Sequence, residues 1–231
     1  MTIQERLDDI LKDLSSAAEK SGRLLSDIHL MAVSKYHPYD EILSLFRCNQ
    51  NLFGENKVQE VMEKFPSLRP EGMQLHLIGH LQSNKVKKIV PLVDAIDSVD
   101  SLKLAQKINE ASLAIGKVTP ILLQFNTSEE ENKSGFEDER SLYEALDTIS
   151  DLSNMSVQGL MTLGPLHGGE KEIRTAFAHL KNLQDVCTMR YPQLCFKTLS
   201  MGMSSDFPLA IAEGATQIRI GTRLFGPREY K

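Results

Sequence analysis

The chain has 231 residues, 25% of them charged and 41% apolar, with a formal net charge of −5. This is ordinary globular composition, long enough for one large core and unlike a disordered segment. With no basic tract longer than the Lys85–Lys88 cluster, it offers nucleic acid no electrostatic footprint, and that class of partner is excluded.

The N-terminal residues 1–21 carry Ile3, Leu7, Ile10, Leu11, Leu14, Ala17 and Ala18 at helical spacing, and Thr2 and Glu5 are spaced as a capping box. A helix is expected there, covering one end or flank of the core. Charges begin at Glu5, where a signal peptide would be apolar. No apolar run approaches the ~18 residues that span a bilayer, so no membrane partner and a cytoplasmic location are expected. Cys48, Cys187 and Cys195 show neither C-x-x-C nor His-rich spacing and read as reduced packing residues.

Strand-like runs then recur eight times, at His29–Lys35, Asn51–Gly54, Gln74–His80, Ala95–Val99, Thr119–Asn126, Val157–Leu163, Phe196–Met201 and Gln217–Phe225. Between them lie runs of helical period. Ile42, Leu43, Leu45 and Phe46 form one, and Val58, Val61, Met62 and Phe65 another. Leu104 to Ile115 end at Gly116, a suitable C-cap. Further runs join Phe136, Leu142 and Leu146 to Leu152, and Ile173, Phe177 and Leu180 to Cys187. The polar loop Thr127–Gly135, with Glu129, Glu130 and Glu131 in a row, reads as a surface connection. Alternating strands and helices imply a parallel sheet, and eight units can close on themselves. The fold expected is α/β: a single (β/α)8 TIM barrel, one domain over 1–231, with an extra N-terminal helix. An open doubly wound sheet would want a glycine-rich turn after the first strand, and Lys35-Tyr36-His37-Pro38 has no glycine.

Barrel chemistry sits at the C-terminal ends of the strands. Those positions are Lys35, Glu55-Asn56, His80, Ser98, Asn126, Met161-Thr162, Ser200-Met201 and Gly221-Thr222. The rim is polar and has no ligand cluster for a metal. Lys35 ends an apolar run, and partial burial there would favour the neutral amine that attacks an aldehyde; a solvated lysine is the plainer alternative. After strand seven comes Met201-Gly202-Met203-Ser204-Ser205-Asp206, leading into a short helix stopped at Gly214; after strand eight comes Gly221-Thr222. Barrels often hold a phosphate between these two loops, although Gly202 and Gly221 could equally permit turns and Ser204 could cap a helix. Arg219, between Ile218 and Ile220, points inward, where a structural carboxylate or a ligand's ring nitrogen could accept from it.

Taken together, AVSK ending at Lys35, FGEN (Phe53–Asn56), HLIGHLQSNK (His76–Lys85), GLMT (Gly159–Thr162), LSMGMSSD (Leu199–Asp206) and RIGTRLFGPR (Arg219–Arg228) resemble the pyridoxal phosphate homeostasis family. Its barrel is of the alanine-racemase type. The resemblance implies pyridoxal 5'-phosphate as cofactor, with Lys35 forming the internal aldimine and Ser204, Ser205, Gly221 and Thr222 receiving the phosphate. It also implies Arg219 facing the pyridine nitrogen, with Asn56, His80, Met161 and Met201 lining the ring's surroundings; His80 reads equally as a hydrogen-bonded core residue. The other five histidines are expected to be structural or exposed. Lys57 stands where many relatives have tyrosine, which leaves an aromatic contact there open.

Racemases of this type draw a tyrosine base from a second, β-rich domain, and no such C-terminal β-domain is expected here. Arginine at the ring nitrogen also weakens the cofactor as an electron sink. The expected function is therefore a non-catalytic carrier in vitamin B6 homeostasis. It would be a monomer that buffers the cofactor or delivers it to apo-enzymes dependent on it. A pyridoxal-phosphate-dependent amino-acid racemase is the alternative, and a lysine-dependent aldolase acting on a sugar phosphate is a third.

Overall fold

A computed structural model describes residues 1–65, 68–128, 134–165 and 168–226. Helix α1 (Ile3–Lys20) starts in the expected capping box: Thr2 Oγ1 accepts from Glu5 N–H at 3.2 Å, and the Glu5 carboxylate accepts from Thr2 N–H at 2.7 Å. Its apolar stripe, Leu7, Ile10, Leu14, Ala17 and Ala18, is buried, each large side chain contributing roughly 1.5–3 kcal/mol by leaving water.

Eight parallel strands follow: β1 (His29–Val33), β2 (Leu52–Glu55), β3 (Gln74–Leu77), β4 (Ala95–Val99), β5 (Thr119–Gln124), β6 (Met155–Met161), β7 (Thr198–Ser200) and β8 (Gln217–Ile220). They close in chain order, with β8 returning to pair with β1. Strands covered on both sides should be apolar throughout. In β1, accordingly, Leu30, Met31, Ala32 and Val33 are all buried. The intervening helices are α2 (Tyr39–Arg47), α3 (Val58–Lys64), α4 (Val86–Ile89), α5 (Leu102–Leu113), α6 (Glu139–Ile149), α7 (Glu170–Arg190), α8 (Phe207–Ala212) and α9 (Thr222–Phe225). None of the described helices is long and apolar enough to cross a membrane.

Several expected boundaries are corrected. The run Gln217–Phe225 is not one strand: β8 ends at Ile220, Gly221 turns the chain, and Thr222–Phe225 forms α9 with Leu224 and Phe225 buried. Periodicity misreads this segment because a four-residue helix, with Leu224 and Phe225 buried beside the polar Thr222 and Arg223, is too short to show a helical period. Strand one stops at Val33, since His37 N–H bonds the Ser34 carbonyl at 3.1 Å and Tyr36 takes a positive φ of 69°. Phe136 is not helical; its N–H bonds the Gln124 carbonyl while α6 begins after Asp138, whose carboxylate accepts from Ser141 N–H. Residues 129–133, including Glu129 to Glu131, and Arg228 lie outside the described residues.

The N-terminal helix takes the flank, not an end. It packs on α8 and α9, where Arg6 Nη1 donates to the Phe225 carbonyl at 2.6 Å and Arg223 pairs with Asp9 and Asp13 at 3.0 and 2.6 Å. Arg23 adds bonds to the Ile211 and Ala215 carbonyls. The N-terminal segment thus braces α8 and α9, the two short helices that follow β7 and β8.

Candidate functional site

Because β1 and β8 pair in register, Met31 opposite Arg219 and Ala32 opposite Ile220, the chain segments leaving them emerge side by side. Ser34-Lys35 and Gly221-Thr222 are therefore neighbours despite their separation in sequence. The approach is close: a Cβ built on Gly221 would sit 3.0 Å from the Val33 carbonyl oxygen. The turn after β7 is similarly restricted, since Gly202 has φ +94° and a Cβ there would meet Ala210 Cβ at 2.6 Å.

These turns bound a cavity of about 500 Å³ at the barrel mouth, within the ~300–1,000 Å³ of small-ligand clefts. Lys35, Asn56, His80, Ser204, Arg219, Gly221 and Thr222 line it. Met161 and Met201 do not: both are fully buried behind the wall, and Met203 reaches the cavity instead. Ser205 is exposed and lines the neighbouring groove against α1. Ser204 does not cap α8. Asp206 supplies the carboxylate that accepts from Met203 N–H at 2.5 Å. The backbone bonds of these turns, Asp206 N–H to the Met203 carbonyl and Leu224 N–H to the Gly221 carbonyl, leave the amides of Ser204 and Thr222 without an acceptor among the described residues.

His37, expected only to be structural or exposed, also reaches the cavity. It lines the mouth at 8% exposure, stacked on Phe225 with ring centroids 4.7 Å apart, and its Nδ1 lies 3.0 Å from Glu41. His80 is not a core residue; its side chain is 57% exposed and pairs with Asp100 at 3.0 Å. Lys57 projects outward as expected, and its ammonium lies 5.1 Å from the ring centroid of Tyr36.

Arg219 faces inward, almost wholly buried. Its Nη1 donates to Ser200 Oγ and its Nη2 to the Thr162 carbonyl, both at 2.7 Å. The acceptors are thus a hydroxyl and a carbonyl, not a bonded carboxylate. Burial pulls its pKa down to about 10, with the charges of Asp97 and Asp206 opposing; the guanidinium remains a cation near neutrality. Behind it a polar line runs to the barrel floor. Gln217 Nε2 donates to Ser200 Oγ at 3.0 Å and to Asp97 at 2.8 Å, and Asp97 holds His76 Nδ1 at 3.0 Å.

Burial opposes the charge on His76, but the charge and hydrogen bond of Asp97, aided by Asp94, outweigh it and raise the pKa. A folded value above the unfolded ~6.5 makes the protonated pair stabilising below about pH 6.5, and that contribution is lost as pH rises through the folded value. Melting temperature should fall as pH increases across this window, and Asp97→Asn should flatten the slope. Identical slopes in the two proteins would contradict the assignment.

One amine, one guanidinium, two hydroxyls and free amides around two glycine turns make a donor set suited to an anionic ligand that carries a carbonyl group. Among the described residues no cluster of three or more His, Cys, Asp or Glu is placed to hold a metal.

A family model, alanine racemase, N-terminal domain, matches residues 7–229. The pyridoxal phosphate homeostasis protein of Aquifex aeolicus is 38% identical over 230 residues, covering 100% of both chains. That of Vibrio cholerae is 37% identical over 233 residues, covering 99% of this chain and 98% of the other. Among solved structures, PipY of Synechococcus elongatus with PLP bound superposes with a TM-score of 0.83 at 36% identity, over 97% of this chain and 100% of that one. Alanine racemase of Clostridium difficile matches with a TM-score of 0.70 at 16% identity, over 96% of this chain and 58% of that one, a likeness of fold alone.

Proposed function

The chain belongs to the alanine racemase N-terminal domain family, and from that membership we propose that its barrel mouth holds pyridoxal 5'-phosphate as part of vitamin B6 homeostasis, keeping the cofactor in reserve and giving it up to proteins that need it. One observation carries this: Lys35, Arg219 and the Ser204 and Gly221-Thr222 turns share the wall of a single cavity. When bound, pyridoxal phosphate supplies an aldehyde that bonds reversibly to an amine.

Lys35 offers that amine from a half-buried position. The hydroxyls and amides of Ser204 and Thr222, with Gly221 between the chain segments, take the phosphate; Ser205 stands beside Ser204 in the same turn, with its side chain exposed. Arg219 holds a cation toward the ring nitrogen. Asn56 and His80 line the ring's surroundings, with His37 added to them, while Met161 and Met201 back the wall. Removing one hydroxyl by Ser204→Ala or Thr222→Val should weaken retention by roughly 10–150-fold, about 1.5–3 kcal/mol for a hydrogen bond to a charged group. Equilibrium dialysis measures this, and unchanged affinity in both variants would remove the phosphate assignment.

The mouth stores the cofactor and does not transform substrates with it. A guanidinium beside the ring nitrogen keeps that nitrogen unprotonated and lowers its electron demand. The relatives matched over their whole length are named homeostasis proteins. The recipients are apo-enzymes dependent on the same cofactor, and free thiols at Cys48, Cys187 and Cys195 suit the reducing cytosol. Incubation of the loaded protein with L-alanine should give no D-alanine above background, whereas turnover near the roughly 1–10³ s⁻¹ of ordinary enzymes would establish a racemase.

A further inference from the structure

Lys35 makes no hydrogen bond or ion pair of its own among the described residues, yet its two neighbours are tied down. Ser34 is fully buried; its Oγ donates to Glu55 Oε1 at 2.6 Å, and its carbonyl accepts from Lys64 Nζ at 2.9 Å. On the other side, Tyr36 N–H donates to Glu60 Oε2 at 2.9 Å. Lys64, at the end of α3, joins the two holds, pairing with Glu55 at 2.7 Å and Glu60 at 3.5 Å.

This trio is costly by any account of stability alone. The Glu55 side chain is 0% exposed and that of Lys64 11%, and the Glu55 Oε2 atom has no partner among the described residues. An apolar pair of like volume would serve the core as well or better. What charge and hydrogen bonding add is direction, because they fix the backbone immediately before and after Lys35, where Tyr36 already sits in the left-handed region at φ 69°.

We propose that Lys64, with Glu55 and Glu60, is a positioning clamp that aims the Lys35 amine across the mouth for its bond to the cofactor aldehyde, an inference that rests on the role given to Lys35 above. In that bond the neutral amine of Lys35 gives up both hydrogens and gains a double bond to the aldehyde carbon; the carbonyl oxygen leaves with those hydrogens as water. A long lysine side chain on a loose turn would spread its nitrogen over many positions, whereas a fixed turn confines it.

The test compares two ligands on wild type, Glu60→Ala and Lys64→Met: pyridoxal phosphate, and pyridoxine phosphate, which carries an alcohol in place of the aldehyde and reports non-covalent binding. Both variants should lose about tenfold or more in affinity for the aldehyde while binding the alcohol as wild type does. Glu60 is partly exposed, so Glu60→Ala keeps the test alive if Lys64→Met, which strands Glu55, fails to fold. Equal weakening of both ligands, or no change in either, would overturn the clamp. Equal affinity of wild type for the two ligands would instead overturn the role of Lys35 itself, and the clamp with it.

Discussion

Lys35→Ala is expected to leave gel filtration without pyridoxal phosphate, its affinity lowered by roughly a hundredfold or more, about 2.7 kcal/mol. The phosphate turns and Arg219 persist in this variant, so weak binding should remain. Folding should be untouched, with stability within about 0.5 kcal/mol of wild type, because the half-buried side chain has no bonded partner among the described residues. Spectrophotometric titration measures the first expectation and thermal melting the second. Retention equal to wild type would place the covalent contact elsewhere or nowhere.

Gly159→Ala carries the largest expected effect on the fold. Gly159 pairs with Thr198 between β6 and β7, and a Cβ there would lie 1.8 Å from the Thr198 carbonyl oxygen and 2.6 Å from its carbon, at a φ of +152°. Both obstacles are backbone, so relief requires opening the ladder. The loss should be about 3 kcal/mol or more, roughly 6–12 °C in melting temperature for a chain of this size. Thr162, whose carbonyl accepts from Arg219, follows β6 directly, so cofactor affinity should fall in the same variant. An unaltered melting curve would contradict the geometry.

Much of this was legible in the sequence because the relevant signals are local. The capping box at Thr2 and Glu5, the eight apolar runs and the lysine at the end of the first of them each depend on residues a few positions apart. Closure of the barrel follows from their number. The rim was less legible because strand periodicity does not mark where a ladder ends. Thus Gln217–Phe225 looked continuous although Gly221 turns it, and Met201, at the exit of β7, stays in the wall while Met203 reaches the cavity. His37 was missed because its reason for facing the mouth is Phe225, at the other end of the chain. The acceptors of Arg219 belong to Ser200 and Thr162 on two other chain segments, and the partners of Ser34 and Tyr36 lie on β2 and α3. Such pairings become visible only once the sheet is closed.

The most direct measurement reduces the cofactor-loaded wild-type protein with borohydride and maps the modified peptide. A pyridoxyl group on the peptide containing Lys35, and on that peptide alone, is the predicted result. Modification at another lysine such as Lys57 or Lys64, or recovery of unmodified peptides throughout, would contradict a mouth built around that amine.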